Sequence, residues 1–255
     1  MKNRLLESLP SSEQAWMASF FLDRTFEKGS VLQEAGQPVD QVYFPRSGLV
    51  TLLGVLPGGA QIDTAMVGPE GAIGAAAGIG MQKAFGRAMV QIPGRFAQIS
   101  AVRLAEWASR SKAVRDMILR YNEELIAQIQ HSVVCTAVHD SQGRFCRWLL
   151  QARDRVGSET LSLTQECLSS MLGLQRTTIT LICHKLQTEG ILRVRRGRIE
   201  IFDIAALRAK ACVCYDVMHT LSANSGYEPL LNASALSDIN VSVVQDGALE
   251  RASVL

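Results

Sequence analysis

The segment from residue 101 to residue 142 contains neither glycine nor proline. Its apolar side chains recur every three or four residues, which is the period of one face of an α-helix. The residues of this stripe are Val114, Ile118, Tyr121, Leu125, Ile129 and Val133. A helix of about 25 residues is about 37 Å long. Because one small domain cannot cover such a stripe, we predict that it pairs with the same helix of a second chain in a homodimer. The alternative is burial inside one chain.

The preceding segment, residues 25–100, has the pattern of antiparallel β structure. Short apolar runs alternate with turn-forming clusters such as Lys28-Gly29 and Pro57-Gly58-Gly59, at intervals of about 8–12 residues. The clearest strands are 41–44, 48–53, 88–92 and 96–99. We therefore predict a β-sandwich or β-roll, preceded by a short pair of helices in residues 1–24.

Residues 163–186 have the pattern of two short helices joined by a sharp turn. Thr164 is placed to cap the first helix, and Gly173 follows that helix where the backbone needs a positive φ. In the second helix, Ile179 and Leu186 lie on the face that would pack inward. This arrangement predicts a helix-turn-helix, with an ordinary helical hairpin as the alternative.

The outer face of the second helix would contact DNA. A recognition helix enters the major groove with its N-terminal end against the base edges. Arg176 lies at that end and can bond guanine O6 and N7 together, which contributes about 1–3 kcal/mol of discrimination between bases. The residues predicted to contact DNA from the two helices are Thr164, Gln165, Gln175, Arg176, Thr177, Thr178, Thr180, Leu181, His184 and Lys185.

The next segment, residues 191–202, predicts a β-hairpin that turns at Arg196-Gly197. The arginines at its tip are Arg193, Arg195, Arg196 and Arg198. A basic hairpin directly after a helix-turn-helix is typical of a wing, and we predict that Arg195 and Arg196 contact phosphates. The charge distribution agrees, because residues 138–220 contain 12 Lys and Arg against 8 Asp and Glu. The alternative is a solvated run of charges.

With these elements in this order, residues 1–220 resemble the Crp/Fnr family of bacterial transcription regulators. Asp140-Ser-Gln-Gly143-Arg144 is similar to the family's hinge and the start of its DNA-binding domain. Gly173-x-x-Arg176-x-Thr178 is similar to the entrance of its recognition helix. The resemblance implies an α+β fold with a cyclic-nucleotide-binding-like β-roll, a long dimerisation helix and a C-terminal winged helix-turn-helix.

The predicted domains are a sensor domain with the long helix at 1–137, a DNA-binding domain at 138–220 and a loosely ordered tail at 221–255. The resemblance implies double-stranded promoter DNA and RNA polymerase as partners, and Arg176 as a residue that contacts a base. Leu181 stands where well-known members often carry a second base-contacting arginine. We therefore do not expect an operator of the TGTGA type.

The resemblance also locates a nucleotide pocket, but this sequence departs from the family's phosphate-binding pattern. The family holds the cyclic phosphate with a Gly-Glu-x-Gly turn and an Arg-Ser-Ala segment. The counterparts here are Gly68-Pro-Glu70-Gly71 and Gly86-Arg87-Ala88, which places Gly86 at the family's arginine position. The positions that present hydroxyls to adenine in the family hold Ile129 and Gln130. The residues of the candidate effector pocket are Gly68, Glu70, Gly71, Arg87, Ala88, Ile129 and Gln130. We predict a small-molecule effector other than cyclic AMP, or none, with a cyclic-nucleotide-gated regulator as the alternative.

The cysteines restrict the sensor chemistry. Residues 1–134 contain none, which excludes an iron–sulfur cluster of the Fnr type near the N-terminus. His131, Cys135 and His139 recur every four residues, a spacing that suits zinc or copper on one helix face. Packing at a helix seam or hinge is the interpretation that we favour for them, and helix packing for Cys212-Val-Cys214. We predict neither a metal nor a cofactor.

Other classes of protein find less support in the sequence. No nucleophile–base pairing, Walker loop or carboxylate pair indicates an enzyme. A protein-interaction module without DNA affinity is the alternative from a different functional class. The longest uncharged candidate for a membrane span, residues 71–82, falls short of the about 20 residues that a spanning helix needs. Residues 1–10 have no signal-peptide pattern, and we expect a cytoplasmic protein without a membrane partner.

Overall fold

The computed structural model describes residues 3–223. Two short helices come first, α1 (Arg4–Glu7) and α2 (Ser11–Ala18), as predicted for residues 1–24, although β1 begins before that segment ends. The strands of the N-terminal part are β1 (Leu22–Phe26), β2 (Val31–Gln33), β3 (Gln41–Pro45), β4 (Leu49–Val55), β5 (Gln61–Val67), β6 (Arg87–Ile92) and β7 (Gly94–Ser100).

These strands form two antiparallel sheets around an apolar interior. One sheet has the order β1-β7-β3 and the other β2-β6-β4-β5. Tyr43 and Phe96 from the first sheet pack with Val50, Ala88 and Val90 from the second. The predicted β-roll is therefore confirmed, and the four strands singled out in the sequence lie in β3, β4, β6 and β7.

The segment without glycine and proline forms two helices, α3 (Ala101–Arg110) and α4 (Lys112–Val138). Ser111 separates them, because its backbone is extended and its side chain caps α4 by accepting a hydrogen bond from Val114 N at 3.4 Å. Between β5 and β6, Ala75–Ile79 forms a 3-10 helix that packs on α3 and α4. The long helix predicted from the sequence is confirmed, with 27 residues in α4.

The prediction that the whole apolar stripe of α4 faces a second chain is wrong for its first half. Val114, Ile118 and Tyr121 are buried within the chain against the core of the β-roll, and the Tyr121 hydroxyl donates a 2.8 Å hydrogen bond to Ala72 O. Leu125 and Ile129 are half-buried, whereas Val133 is 66% exposed.

The physical reason is the winding of the stripe around the helix axis. At about 100° per residue, each step of four residues overshoots a full turn by about 40°, and the stripe therefore rotates by about 100° between its first and last members. Three apolar side chains spaced seven residues apart, including Val133 of the stripe, stay on one open face. These are Leu119 at 42% exposure, Ile126 at 56% and Val133 at 66%.

The C-terminal part follows a cap at Asp140, whose carboxylate accepts a hydrogen bond from Gly143 N at 2.6 Å. Its elements are α5 (Ser141–Val156), β8 (Thr160–Leu161), α6 (Gln165–Leu172), α7 (Arg176–Thr188), β9 (Leu192–Arg195), β10 (Arg198–Ile201), α8 (Ile204–Ala209) and α9 (Cys214–Ala223). The three strands form an antiparallel sheet of order β8-β10-β9.

The core of this C-terminal part continues onto the outer face of the β-roll. Leu49, Met66 and Ile92 of the four-stranded sheet pack with Phe145 and Trp148 of α5 in one buried cluster. The roll and the helix-turn-helix unit therefore share apolar surface rather than being joined by the hinge alone.

The tail predicted at 221–255 lies from residue 224 onward outside the described residues, while 221–223 belong to α9. Between residues 3 and 223, no helix combines the length and the apolar character needed to cross a membrane.

Candidate DNA-binding surface and effector pocket

Helices α6 and α7 form the predicted helix-turn-helix. Thr164 caps α6, since its hydroxyl accepts a 3.2 Å hydrogen bond from Cys167 N. Gly173 ends α6 with φ +63°, a conformation that a residue with a Cβ rarely adopts. The inner side chains of α7, including Ile179 and Leu186, are fully buried. The recognition helix is thus fixed in position by its apolar face.

The outer face of α7 is open to solvent. The exposed residues among those predicted to contact DNA from the two helices are Gln175, Arg176, Thr177, Thr180, Leu181, His184 and Lys185. Thr164, Gln165 and Thr178 are half-buried. The Thr180 hydroxyl donates a 3.0 Å hydrogen bond to Gln165 Oε1, which links α7 to α6. The structure therefore brings this set together around the recognition helix.

The N-terminal end of α7 is suited to a negatively charged ligand. Gln175 occupies the cap position but makes no side-chain hydrogen bond to the first turn. The first N–H groups of the helix and the positive end of its dipole are therefore available to a phosphate. Arg176 adds a full charge at the same end.

Strands β9 and β10 form the predicted hairpin, with Arg196 and Gly197 in the turn. Its arginines have different surroundings. Glu200 pairs with Arg195 at 3.4 Å and with Arg198 at 2.9 Å. The Arg193 guanidinium lies over the Phe202 ring, 5.0 Å from its centroid. Arg196 is exposed at the tip and forms no ion pair within residues 3–223, so it is the wing arginine with the fewest competing contacts.

The candidate phosphate residues of the roll point in different directions. Ala88 is in the roll's interior cluster, and strand alternation places Arg87 on the opposite face. There the Arg87 guanidinium donates to both Glu34 carboxylate oxygens, at 3.0 and 3.1 Å. This hydrogen bonding lowers the pKa of Glu34. Gly86, which directly precedes β6, has no side chain to offer a ligand, and a Cβ there would lie 2.6 Å from Leu53 O.

The remaining phosphate-binding candidates, Gly68, Glu70 and Gly71, also make contacts within the protein. Glu70 Oε1 accepts hydrogen bonds from Arg155 Nε of α5 at 2.8 Å and from Gly68 N at 2.9 Å. A Cβ added to Gly71 would lie 2.7 Å from the Tyr121 ring, which fills this side of the turn. Glu70 and Arg87 form no hydrogen bond or ion pair with each other. The predicted effector residues therefore do not converge on one cavity in the described part of the chain.

Two family domains in this order match the chain. The sequence model of the cyclic nucleotide-binding domain matches residues 23–111, and that of the Crp-like helix-turn-helix domain matches residues 143–210. The chain belongs to the Crp/Fnr family. It is a transcription regulator of that type with a helix-turn-helix DNA-binding domain.

Individual Crp/Fnr relatives are distant in sequence but similar in fold. The anaerobic regulatory protein of Pasteurella multocida is 24% identical over 192 residues, which cover 72% of this chain and 70% of the relative. FixK2 from Bradyrhizobium japonicum superposes with a TM-score of 0.66 at 16% identity and covers 76% of this chain and 98% of its own. CLP from Xanthomonas campestris, described as c-di-GMP responsive, gives a TM-score of 0.62 at 15% identity over 76% of this chain and 99% of its own.

The Crp/Fnr chain has one further concave feature that sequence analysis missed. A small cleft lies between α4, the β-roll, α5 and α6. Its polar lining includes Asp63, Gln128, Ser132, Arg144 and Arg147. Ile129 is half-buried and Gln130 is exposed, and neither lines this cleft. No local motif reveals the cleft, because each of its walls comes from a different part of the chain.

The candidate metal stripe on α4 is only partly retained in the fold. Cys135 and His139 lie close to Cys212 and Cys214, whereas His131 is not part of this group. In the sequence, the α4 residues and the Cys212-Val-Cys214 pair are separate features. Their proximity depends on how α9 packs against the end of α4.

Proposed function

We propose that this Crp/Fnr chain acts as a homodimer that binds a two-fold symmetric operator in promoter DNA and regulates transcription there. The observation that carries the proposal is the arrangement of α7, with its inner face fixed in the core and Arg176 exposed at its N-terminal end. This is the end that contacts base edges when such a helix enters the major groove. A helical hairpin used only for packing would not need these polar groups at that end.

The proposed dimer seam consists of Leu119, Ile126 and Val133 on the open face of α4. Spacing of seven residues is the repeat that keeps side chains in register along a two-helix coiled coil. Large apolar side chains exposed along one helix face favour burial against a partner. Pairing of two α4 helices would bury them and supply two recognition helices to one operator.

The proposed division of roles separates base contacts from phosphate contacts. Arg176 supplies the bidentate guanine contact, and the apolar Leu181 contacts a thymine methyl group instead of bonding a second guanine. Arg196 at the wing tip contacts the phosphate backbone, as do the free N–H groups at the start of α7. RNA polymerase is the further partner that the family resemblance implies.

We also propose that cyclic AMP does not control this regulator, and that it responds to another effector or to none. The support is the absence of a side chain at Gly86 and the engagement of Arg87 by Glu34 on the outer face of the sheet. Because a buried cyclic phosphate carries a full negative charge, it needs a cationic partner in the pocket. Ala88, which faces the interior at this point of β6, offers no such partner.

Selection of bound duplexes from a random DNA pool tests the proposed function. We expect enrichment of a two-fold symmetric site whose half-sites lie about 34 Å apart, one turn of DNA. Affinity for the selected duplex should fall steeply between about 50 and 200 mM salt as counterions are released. No enrichment together with a flat salt response would support a protein-interaction module instead.

A further inference from the structure

Four side chains with metal-binding atoms meet where α4 ends. They are Cys135, His139, Cys212 and Cys214, and their sulfur and ring nitrogen atoms all lie within 4.8 Å of one another. Cys135 Sγ is 3.5 Å from Cys212 Sγ, and Cys214 Sγ is 3.5 Å from His139 Nδ1. Cys135 and Cys214 are buried, while His139 and Cys212 are half-buried.

These distances suit a tetrahedral metal ion. Zinc binds thiolate sulfur at about 2.3 Å and imidazole nitrogen at about 2.0 Å, which in a tetrahedron separates neighbouring ligand atoms by about 3.5–3.8 Å. A disulfide would need its two sulfur atoms at about 2.05 Å, which requires Cys135 and Cys212 to move together. The 3.5 Å separations of Cys135 from Cys212 and of Cys214 from His139 match this range, and all four atoms lie within 4.8 Å of one another.

The backbone holds the four groups in place. His139 caps α4, and its N–H donates a 3.1 Å hydrogen bond to Cys135 O. Cys212 N donates a 3.2 Å hydrogen bond to Gly143 O in the first turn of α5. Cys214 begins α9. Two ligands therefore come from the end of the sensor helix, and two come from the segment that follows the wing.

The surrounding charge also fits an anionic centre. Arg144 is buried at 9% exposure, donates a 2.7 Å hydrogen bond to Leu172 O and forms no ion pair with a carboxylate within residues 3–223, whereas the charge of Arg147 acts on the Asp63 carboxyl group. A buried cation such as Arg144 is stabilised by a nearby counter-charge. Three thiolates and a neutral imidazole around Zn²⁺ carry a net charge of −1. Burial lowers the pKa of Arg144.

We propose that Cys135, His139, Cys212 and Cys214 bind one Zn²⁺ ion in a closed, four-coordinate structural site. The thiols release their three protons to solvent as the ion binds, and no electron transfer is involved. All four ligands lie outside the segments that match the two family domains. The cyclic nucleotide-binding domain matches residues 23–111, and the helix-turn-helix domain matches residues 143–210. The site is thus an addition to those domains that fixes the DNA-binding unit to the end of α4.

The test begins with the untagged full-length protein, expressed with added zinc and purified under reducing conditions. Elemental analysis should find close to one zinc per chain. After removal of zinc by a chelator, cobalt(II) should give the visible bands of a tetrahedral complex and a thiolate-to-cobalt charge-transfer band. Zinc added back should remove these bands and raise the melting temperature.

Variants assign the ligands. Cys212→Ser and His139→Gln should each lose most of the bound zinc and weaken the cobalt charge-transfer band. Cys183→Ala removes a buried thiol from the inner face of α7, outside the cluster, and should keep the full zinc content. Wild-type protein with no zinc and no cobalt spectrum would overturn the proposal even if a variant failed to fold. The other outcome is a metal-free protein that does not bind cobalt and forms a Cys135–Cys212 disulfide under mild oxidation. That result would establish a redox pair instead of a metal site.

Discussion

Trp148 Nε1 on α5 donates a 2.7 Å hydrogen bond to Asp63 Oδ2 on β5, which joins the DNA-binding part to the β-roll through a buried carboxyl group. Burial raises the pKa of Asp63 from 3.8 to about 7, although the Trp148 hydrogen bond and the charges of Arg147 and Arg155 act in the opposite direction. The contact between the two parts of the protein therefore contains a group that titrates near neutral pH.

Asp63→Asn should make stability less dependent on pH. Because the folded state holds its proton at Asp63 more tightly than the unfolded state does, the free energy of unfolding falls as pH rises from about 4 to about 7. The loss is up to about 4 kcal/mol at about 1.4 kcal/mol per pKa unit. Asparagine cannot ionise and still accepts from Trp148, so the variant should be more stable than the wild type at pH 8, with little gain at pH 4. Urea unfolding at both pH values measures this, and exposed Asp23→Asn is the control.

Arg176→Ala should reduce affinity for the selected operator by about 1–3 kcal/mol and relax the preference at one base pair in each half-site. The reason is that the bidentate guanine contact is lost while the phosphate contacts remain. Fluorescence anisotropy on operator duplexes that differ at single positions measures both effects. Equal losses on operator and random DNA would show that Arg176 contacts only phosphate.

Arg196→Ala should weaken binding to every duplex by a similar factor and reduce the slope of log affinity against log salt by about one unit. Arg195→Ala on the same hairpin is the matched comparison, and its effect should be smaller because Glu200 already neutralises Arg195. Salt titrations on operator and random duplexes separate the two variants. A change in the preferred base sequence in either one would mean that the wing contacts bases.

Ile126→Asp should convert the dimer to a monomer, since it places a carboxylate in each chain's half of the proposed seam. Arg120→Asp adds negative charge on exposed α4 surface next to Leu119 and should leave the dimer intact. Light scattering at micromolar concentration gives the mass of each. A dimeric Ile126→Asp protein would show that the seam lies elsewhere, whereas a monomer should also lose tight operator binding.

Local patterns in the sequence predicted the elements that short-range chemistry determines. Thr164 and Gly173 define the helix-turn-helix through a cap and a positive φ, and both act within a few residues of themselves. Strand β5 was not singled out, because its polar Gln61, Asp63 and Thr64 interrupt the apolar pattern that marks a strand. The Asp63 carboxylate accepts a hydrogen bond from Trp148, 85 residues later, and local sequence carries no sign of this contact.

The same distinction explains the errors on α4. The spacing of its apolar residues predicted a long helix correctly, since helical period is a local property. Which side of the helix the roll covers depends on long-range contacts such as the one between Tyr121 and Ala72. The meeting of Cys135 with Cys212, 77 residues apart, has the same origin and has no signature in local spacing.

Cyclic AMP at millimolar concentration should neither raise the melting temperature nor change DNA affinity. A ligand that binds only the folded state stabilises it by about 2.7 kcal/mol at a hundredfold excess over its Kd, and binding would therefore produce a clear thermal shift. We expect none, because Ala88 occupies the interior position at this end of β6 and Glu34 holds Arg87 on the outer face of the sheet. A Gly86→Arg variant is not a simple way to restore a phosphate-binding arginine. Its Cβ would lie 2.6 Å from Leu53 O, so the backbone would have to move. A thermal shift of several degrees with cyclic AMP that Arg87→Ala abolishes would contradict this prediction and indicate that Arg87 turns inward to bind the phosphate.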